Sequence, residues 1–196
     1  MKRTTLAILF ACLTLAVSAQ DAVQVKFSGA TPDIVDFAWA LAADADEEME
    51  DPMNGLKRAI IKYRKGQALP EGQTLIVDKK NGYLCYETKG DNYKSKQEMC
   101  YWNMADKKHK LVGYCCELLM DGKRIDPGQF DNLIFYRYNN ATKKMTLYDA
   151  GVEVEYSNIS YSLPRTGKDI TVTRWDKNGK ATQQQLKWNG NGFTQP

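Results

Sequence analysis

The chain has 196 residues, with 27 Lys and Arg against 24 Asp and Glu and a single histidine. Without a leader carrying Lys2 and Arg3 the balance becomes 25 basic to 24 acidic, which excludes a dense phosphate-binding surface, so no nucleic-acid partner is expected. At 43% hydrophobic and 26% charged residues the composition is that of an ordinary globular chain, large enough for its own core.

Residues 1–20, "MKRTTLAILFACLTLAVSAQ", read as a cleaved secretory signal. Lys2 and Arg3 give the positive start, Leu6 to Val17 the apolar stretch, and Val17-Ser18-Ala19 a small-residue cleavage site. The apolar run is too short to span a bilayer, and no other segment offers a transmembrane span. Anchoring as a lipoprotein through Cys12 is the lesser alternative. Leu9-Phe10-Ala11-Cys12 carries an aromatic residue, and the apolar run continues past the cysteine. Residues 21–196 are expected to form one secreted or periplasmic domain, with a helical part at 31–66 and a β part at 70–196.

Val23 to Phe27 suit a flexible lead-in or a first edge strand. The stretch "TPDIVDF" predicts a helix start, with Thr31 as cap, Pro32 in first position and Asp33 at the positive end of the dipole. Ile34, Phe37, Ala38 and Leu41 recur at helical spacing. The acidic run Asp44 to Asp51 reads as a frayed helix end, because a calcium loop needs a central glycine that is missing there. Asp51-Pro52 predicts a second start, with Met53, Leu56, Ile60 and Tyr63 inward and Gly66 as the stop. The basic outer side of this second helix suits packing beside the acidic first one.

After Pro70 the period changes to that of strands. Four hairpins are expected: residues 74–87 turning at Asn81-Gly82, 99–116, 133–149 turning near Asn139 to Lys144, and 170–188 turning at Asn178-Gly179. Val152 to Tyr156 suggest a further strand, and "LKWNGNGF" a last strand with Phe193 folded back. The predicted class is α+β: an N-terminal helix pair followed by an antiparallel β-meander of about eight strands, as a curved sheet or partly closed barrel.

Three of the five cysteines and the lone His109 fall in "CYWNMADKKHKLVGYCC". A hairpin with a four-residue turn at Asp106 to His109 sets Cys100 opposite Cys115, Trp102 opposite Gly113 and Met104 opposite Leu111. His109 then lies roughly 20 Å from the cysteine pair, so these groups cannot share a metal ion, and no metal site is expected. Cys116 points to the other face. Cys100 with Cys115 is the preferred disulfide, with Cys85–Cys116 a weaker one, and buried free thiols remain open.

A histidine in a Lys-rich turn is a poor general base. Glu98, Glu117, Glu153 and Glu155 could supply a carboxylate pair to a glycosidase-like enzyme. No phosphate loop or dinucleotide motif occurs, and no cofactor is expected. The strand aromatics Trp102, Tyr136, Tyr138, Trp175 and Trp188 are the candidate ligand-binding residues, with an ordinary sheet core as the plainer role for them. Asn140-Ala141-Thr142 and Asn158-Ile159-Ser160 match glycosylation acceptors, but the leader has a bacterial look.

The leader ending "AVSAQ", with "IVDKKNGYLCYE", "CYWNMADKKHKLVG" and "LKWNGNGF", resembles small exported proteins of unknown function from gut Bacteroidetes. That resemblance implies a bacterial periplasmic or surface protein of helix-plus-antiparallel-sheet build, and brings no activity, ligand or site residues with it. The expected role is a cell-envelope binding or accessory protein without catalytic activity, with an unknown envelope ligand or protein as partner. The alternatives are a small carboxylate-dependent hydrolase of envelope polymers, or an inhibitor or interaction module presenting "MADKKHK" to an acidic partner.

Overall fold

The computed structural model describes residues 22–43, 45, 52–125, 132–155 and 157–194. The leader, Asp51 as a cap and most of the acidic run 44–51 lie outside the described residues. Strand β1 (Val23–Gln24) precedes helices α1 (Ile34–Ala42) and α2 (Pro52–Arg64). The large sheet is built from β1 with β2 (Gln73–Asp78), β3 (Tyr83–Lys89), β4 (Tyr93–Asn103), β5 (His109–Met120), β6 (Lys123–Ile125), β7 (Ile134–Asn139) and β8 (Lys144–Leu147). A second sheet contains β9 (Ile159–Ser162), β10 (Ile170–Trp175), β11 (Ala181–Trp188) and β12 (Phe193–Thr194). The fold is α+β, with the helix pair ahead of all strands but β1.

The first helix begins two residues later than the sequence pattern suggests. Asp33, not Thr31, is the cap: its Oδ1 accepts from Val35 N at 2.8 Å and Asp36 N at 3.2 Å, while Asp36 Oδ2 accepts from Asp33 N at 3.0 Å. This reciprocal box satisfies amides on both sides of the boundary, which Thr31 could not do. Ile34, Phe37 and Ala38 are buried as expected. On α2, Leu56, Ala59 and Ile60 are buried, but Tyr63 is 41% exposed in the last turn. Gly66, at φ +64°, ends the helix. Gly66 N donates to Tyr63 O and Gln67 N to Lys62 O, satisfying two terminal carbonyls. The opposite charges of the two helices do meet, with Arg64 3.4 Å from Asp36. Among the described residues no helix is long and apolar enough to cross a membrane.

All four hairpins form. Gly82 and Gly179, at φ +65° and +77°, occupy turn positions that a side chain would strain. The large sheet runs β1-β8-β7-β5-β4-β3-β2, with β6 beside the far half of β5, and the second runs β12-β11-β10-β9. No closed barrel forms, because the last hairpin leaves the meander and joins β9 in a layer of its own. Residues 152–155 are not a strand, whereas β6, β9 and the start of β4 lie between the four expected hairpins. Phe193 is folded back and buried, as the terminal sequence suggests.

The large sheet is covered on both faces. Leu84, Tyr86, Met99, Val112, Tyr114, Cys116, Tyr138 and Met145 pack against the helices. Tyr83, Cys85, Cys100, Trp102, Leu111, Cys115 and Phe135 pack against the small sheet through Ile159, Tyr161, Ile170, Val172, Leu186 and Phe193. Alternation along each strand assigns every one of these side chains to its layer.

The expected register of the central hairpin is shifted by two residues. Cys100 faces Gly113, Trp102 faces Leu111, and Cys115 faces Glu98. Asp106 is the cause at the turn: its Oδ1 accepts from both Lys108 N and His109 N, drawing His109 into the start of β5. Gly113 is the cause in the strand. A Cβ there would lie 3.0 Å from the Trp102 ring and 3.2 Å from Phe135, so any larger residue crowds the indole lying diagonally over it. A shift of two preserves the face of every side chain, so Cys115 and Cys116 still point to opposite layers.

Candidate ligand-binding cleft

The inner face of the large sheet carries one buried carboxylate. Glu98 Oε1 accepts from Tyr83 OH at 2.5 Å and lies 3.0 Å from Lys96 Nζ. Its Oε2 accepts from Ser162 Oγ at 3.1 Å and Leu163 N at 3.3 Å. The last two donors belong to the end of β9, the edge strand of the second sheet. Glu98 therefore satisfies an amide that an edge would otherwise leave unpaired, and pins one sheet to the other.

Cys85 and Cys115 flank Glu98 on the neighbouring strands, and Cys100 lies two residues along β4. Burial raises all three thiols, and the Glu98 charge adds to it: Cys85 to about 11, Cys100 and Cys115 well above the ordinary value. Burial, with the bond to Glu98 behind it, also raises the Tyr83 phenol. Burial works to lower Lys96, but the Glu98 carboxylate outweighs it and holds the ammonium above its usual value. Cys85, Cys100, Cys115 and Cys116 are free thiols. The expected Cys100–Cys115 disulfide is absent because the two are diagonal, not opposite, neighbours, beyond the usual span of a bridge. Cys85 and Cys116 face different layers and cannot pair.

Toward one end of the sandwich the apolar inner face gives way to charge. Glu87 faces Lys96 and Lys96 faces Glu117 across successive strands, and Glu117 Oε1 lies 3.8 Å from Arg124 Nε. This alternating ladder leads to a cleft of about 750 Å³ between the β5–β6 and β10–β11 turns. The volume falls within the ~300–1,000 Å³ of small-molecule sites. The cleft is lined by Glu117, Leu119, Lys123, Arg124, Asn158, Trp175, Asp176 and Lys177. Arg124 lies over the Trp175 ring at 5.6 Å and donates to Asn132 Oδ1 at 3.2 Å, so indole and guanidinium hold each other in place. Asp176 Oδ1 accepts from Asn178 N and Lys180 N, shaping the turn.

The five aromatic candidates divide among three places. Trp175 alone lines this cleft. Trp102 and Trp188 stack at 5.7 Å within the inter-sheet core and border a smaller pocket of about 240 Å³, with the Trp102 indole donating to Lys168 O. Tyr138 is buried edge-on to Phe37 beneath the helices, and Tyr136 is partly buried on the same side. Of the carboxylates, Glu98 is buried, Glu117 borders the cleft, Glu153 is exposed, and Glu155 is ion-paired to Arg174 at 2.6 Å.

Lys123, Arg124 and Lys177 carry the cleft's positive charge without having stood out in the sequence. Their signal was the pair of turns "DGKR" and "DKNGK", each opening on an aspartate and carrying a glycine followed by lysine. Only the strand order brings those turns together. His109 sits at the far end of β5, its Nδ1 2.6 Å from Asp106 Oδ2 and its Nε2 3.1 Å from Asn139 Nδ2. Among the described residues no three His, Cys, Asp or Glu side chains are grouped to hold a metal ion. Comparison of the chain with family models, curated proteins and solved structures gives no match.

Proposed function

We propose that this is an exported cell-envelope binding or accessory protein that takes its ligand in the cleft between the two sheets. The observation that carries this reading is the Trp175–Arg124 pair on the wall of a 750 Å³ cleft. A half-buried aromatic held by a cation, with polar groups converging around it, is how a concave site fixes a ring-bearing ligand. Export is supported by the charged start, apolar stretch and small-residue cleavage pattern of residues 1–20. A thermal-shift screen against glycans, lipids and peptidoglycan fragments tests the role. Stabilisation by one class, lost in Trp175→Ala, supports it, and silence across all classes overturns it.

A second reading, hydrolysis of an envelope polymer, draws on the two carboxylates Glu117 and Asp176 in the same cleft. Binding is favoured because Glu117 faces Arg124 and Asp176 holds its own turn. Release of reducing ends from envelope polysaccharide, abolished in Glu117→Gln, would support hydrolysis over binding.

A further inference from the structure

Given the binding role proposed above, we infer that the ligand of the cleft is an anionic saccharide, its ring against Trp175 and its acidic group between Lys123 and Lys177. Three cationic side chains line the cleft against two anionic ones. The two anions are engaged, Glu117 with Arg124 and Asp176 with the backbone amides of its turn. Arg124 in turn lies 3.8 Å from Glu117, donates to Asn132 Oδ1 and sits over the Trp175 ring. The ammonium groups of Lys123 and Lys177 differ. Both are exposed, both border the cleft, and neither has a hydrogen bond or ion pair among the described residues. They come from different sheets, one from β6 and one from the β10–β11 turn, so an acidic group between them gains two donors that no described residue engages.

The cleft is also wrong for a purely apolar ligand. Leu119 and the Trp175 face are its apolar lining, while Asn158 and the charged groups make up most of the rest. A saccharide presents such a wall with alternating C–H and hydroxyl faces, which an indole and amide can share. The acidic group could be a carboxylate or a phosphate, and the two are separable by experiment.

Calorimetric titration of the protein with trigalacturonate, with its fully methyl-esterified form and with glucose 1-phosphate tests this. Trigalacturonate is expected to bind about tenfold tighter than the neutral ester, the contribution of roughly one charge-assisted contact. The double variant Lys123→Ala/Lys177→Ala should erase that preference while keeping its melting temperature, and Trp175→Ala should weaken both ligands. Binding of glucose 1-phosphate with the same lysine dependence, and none of trigalacturonate, would also support the inference and fix the acidic group as phosphate. Equal binding of acid and ester, or a preference that survives loss of both lysines, overturns the anionic class and leaves the binding role standing. Failure of all three saccharides while a lipid or peptide fragment binds at Trp175 likewise overturns the class alone. Failure of every ligand in the wider screen overturns the binding role itself.

Discussion

Glu98 and Leu163 lie 65 positions apart in the chain and meet across the sandwich, the Leu163 amide donating to Glu98 Oε2 at 3.3 Å. The contact joins the middle of one sheet to the edge of the other. It works because the remaining capacity of the carboxylate is filled by Tyr83, Lys96, Ser162 and the Cys115 thiol. A buried charge with this many donors is tolerated, and removing it strands all of them at once.

Glu98→Ala is therefore expected to destabilise the protein by about 3–5 kcal/mol, lowering the melting temperature by roughly 10 °C for a chain of this size. Glu98→Gln should cost about 2–3 kcal/mol, because the new amide group turns donors toward the Ser162 hydroxyl or Tyr83. Ser162→Ala removes one donor from a carboxylate that keeps Tyr83, Lys96, the Leu163 amide and the Cys115 thiol, and should cost about 1 kcal/mol. Denaturant unfolding of the three variants checks the order. A Glu98→Ala variant as stable as the parent would mean that Glu98 does not hold the sheets together.

The same cluster sets the response to alkali. Cys85 is raised from 9.0 to about 11, and Cys100, Cys115 and Tyr83 are raised as well, by burial first and then by the Glu98 charge. Each thiol stays protonated in the folded chain at a pH where the unfolded chain has begun to ionise. Unfolding then releases protons, and stability is full below pH 9 and falls as pH climbs toward 11. The fall is up to about tenfold in the folding constant per thiol per pH unit. Urea unfolding at pH 7, 9 and 10 should show it, and a Cys85→Ala/Cys100→Ala/Cys115→Ala variant should show a shallower slope. Parallel slopes in parent and variant would assign the alkaline loss to other groups.

Side-chain alternation made the faces of the central strands legible from sequence, so Cys115 and Cys116 were separable before any coordinates. Register was not legible to the residue. It depends on Asp106 closing the turn and on Gly113 making room for Trp102, one a choice among similar loops and the other a contact between strands. Both layers of core look alike in sequence, since β10 and β11 alternate in the same way whether they extend the large sheet or form another. Only the meeting of β9 with Glu98 decides that, across more than sixty residues of chain. The cleft was legible in part, through Trp175. Lys123 and Lys177 read as ordinary turn residues until the two turns are placed side by side.

Gly113 offers a direct check on the packing of the central hairpin. A methyl group at this position would press on Trp102 at 3.0 Å and on Phe135 at 3.2 Å. Neither ring is free to retreat, since Trp102 stacks on Trp188 and meets Phe193, which in turn meets Phe135. Gly113→Ala should cost about 1–3 kcal/mol, and Gly113→Val more. The near-ultraviolet circular dichroism of the tryptophan stack should change along with stability. An alanine variant of unchanged stability and spectrum would show that the Trp102 and Phe135 rings do not press on this residue.

The state of the thiols can be counted. With Cys85, Cys100, Cys115 and Cys116 outside any disulfide and buried, and three of them held protonated by their surroundings, a folded chain starting at residue 21 should react negligibly with a disulfide reagent at pH 8. On unfolding in guanidinium it should release four equivalents without prior reduction. Burial, not bonding, then protects these sulfurs from disulfide exchange, because exchange requires an exposed thiolate. Two equivalents instead of four would show that one pair closes to a disulfide. Cys100 and Cys115 are the pair to examine first, since they share a face of adjacent strands and a local slip of two residues would bring them opposite. Mass mapping of the unreduced peptides would identify the bridge, and finding it there would show that the hairpin can adopt the second register.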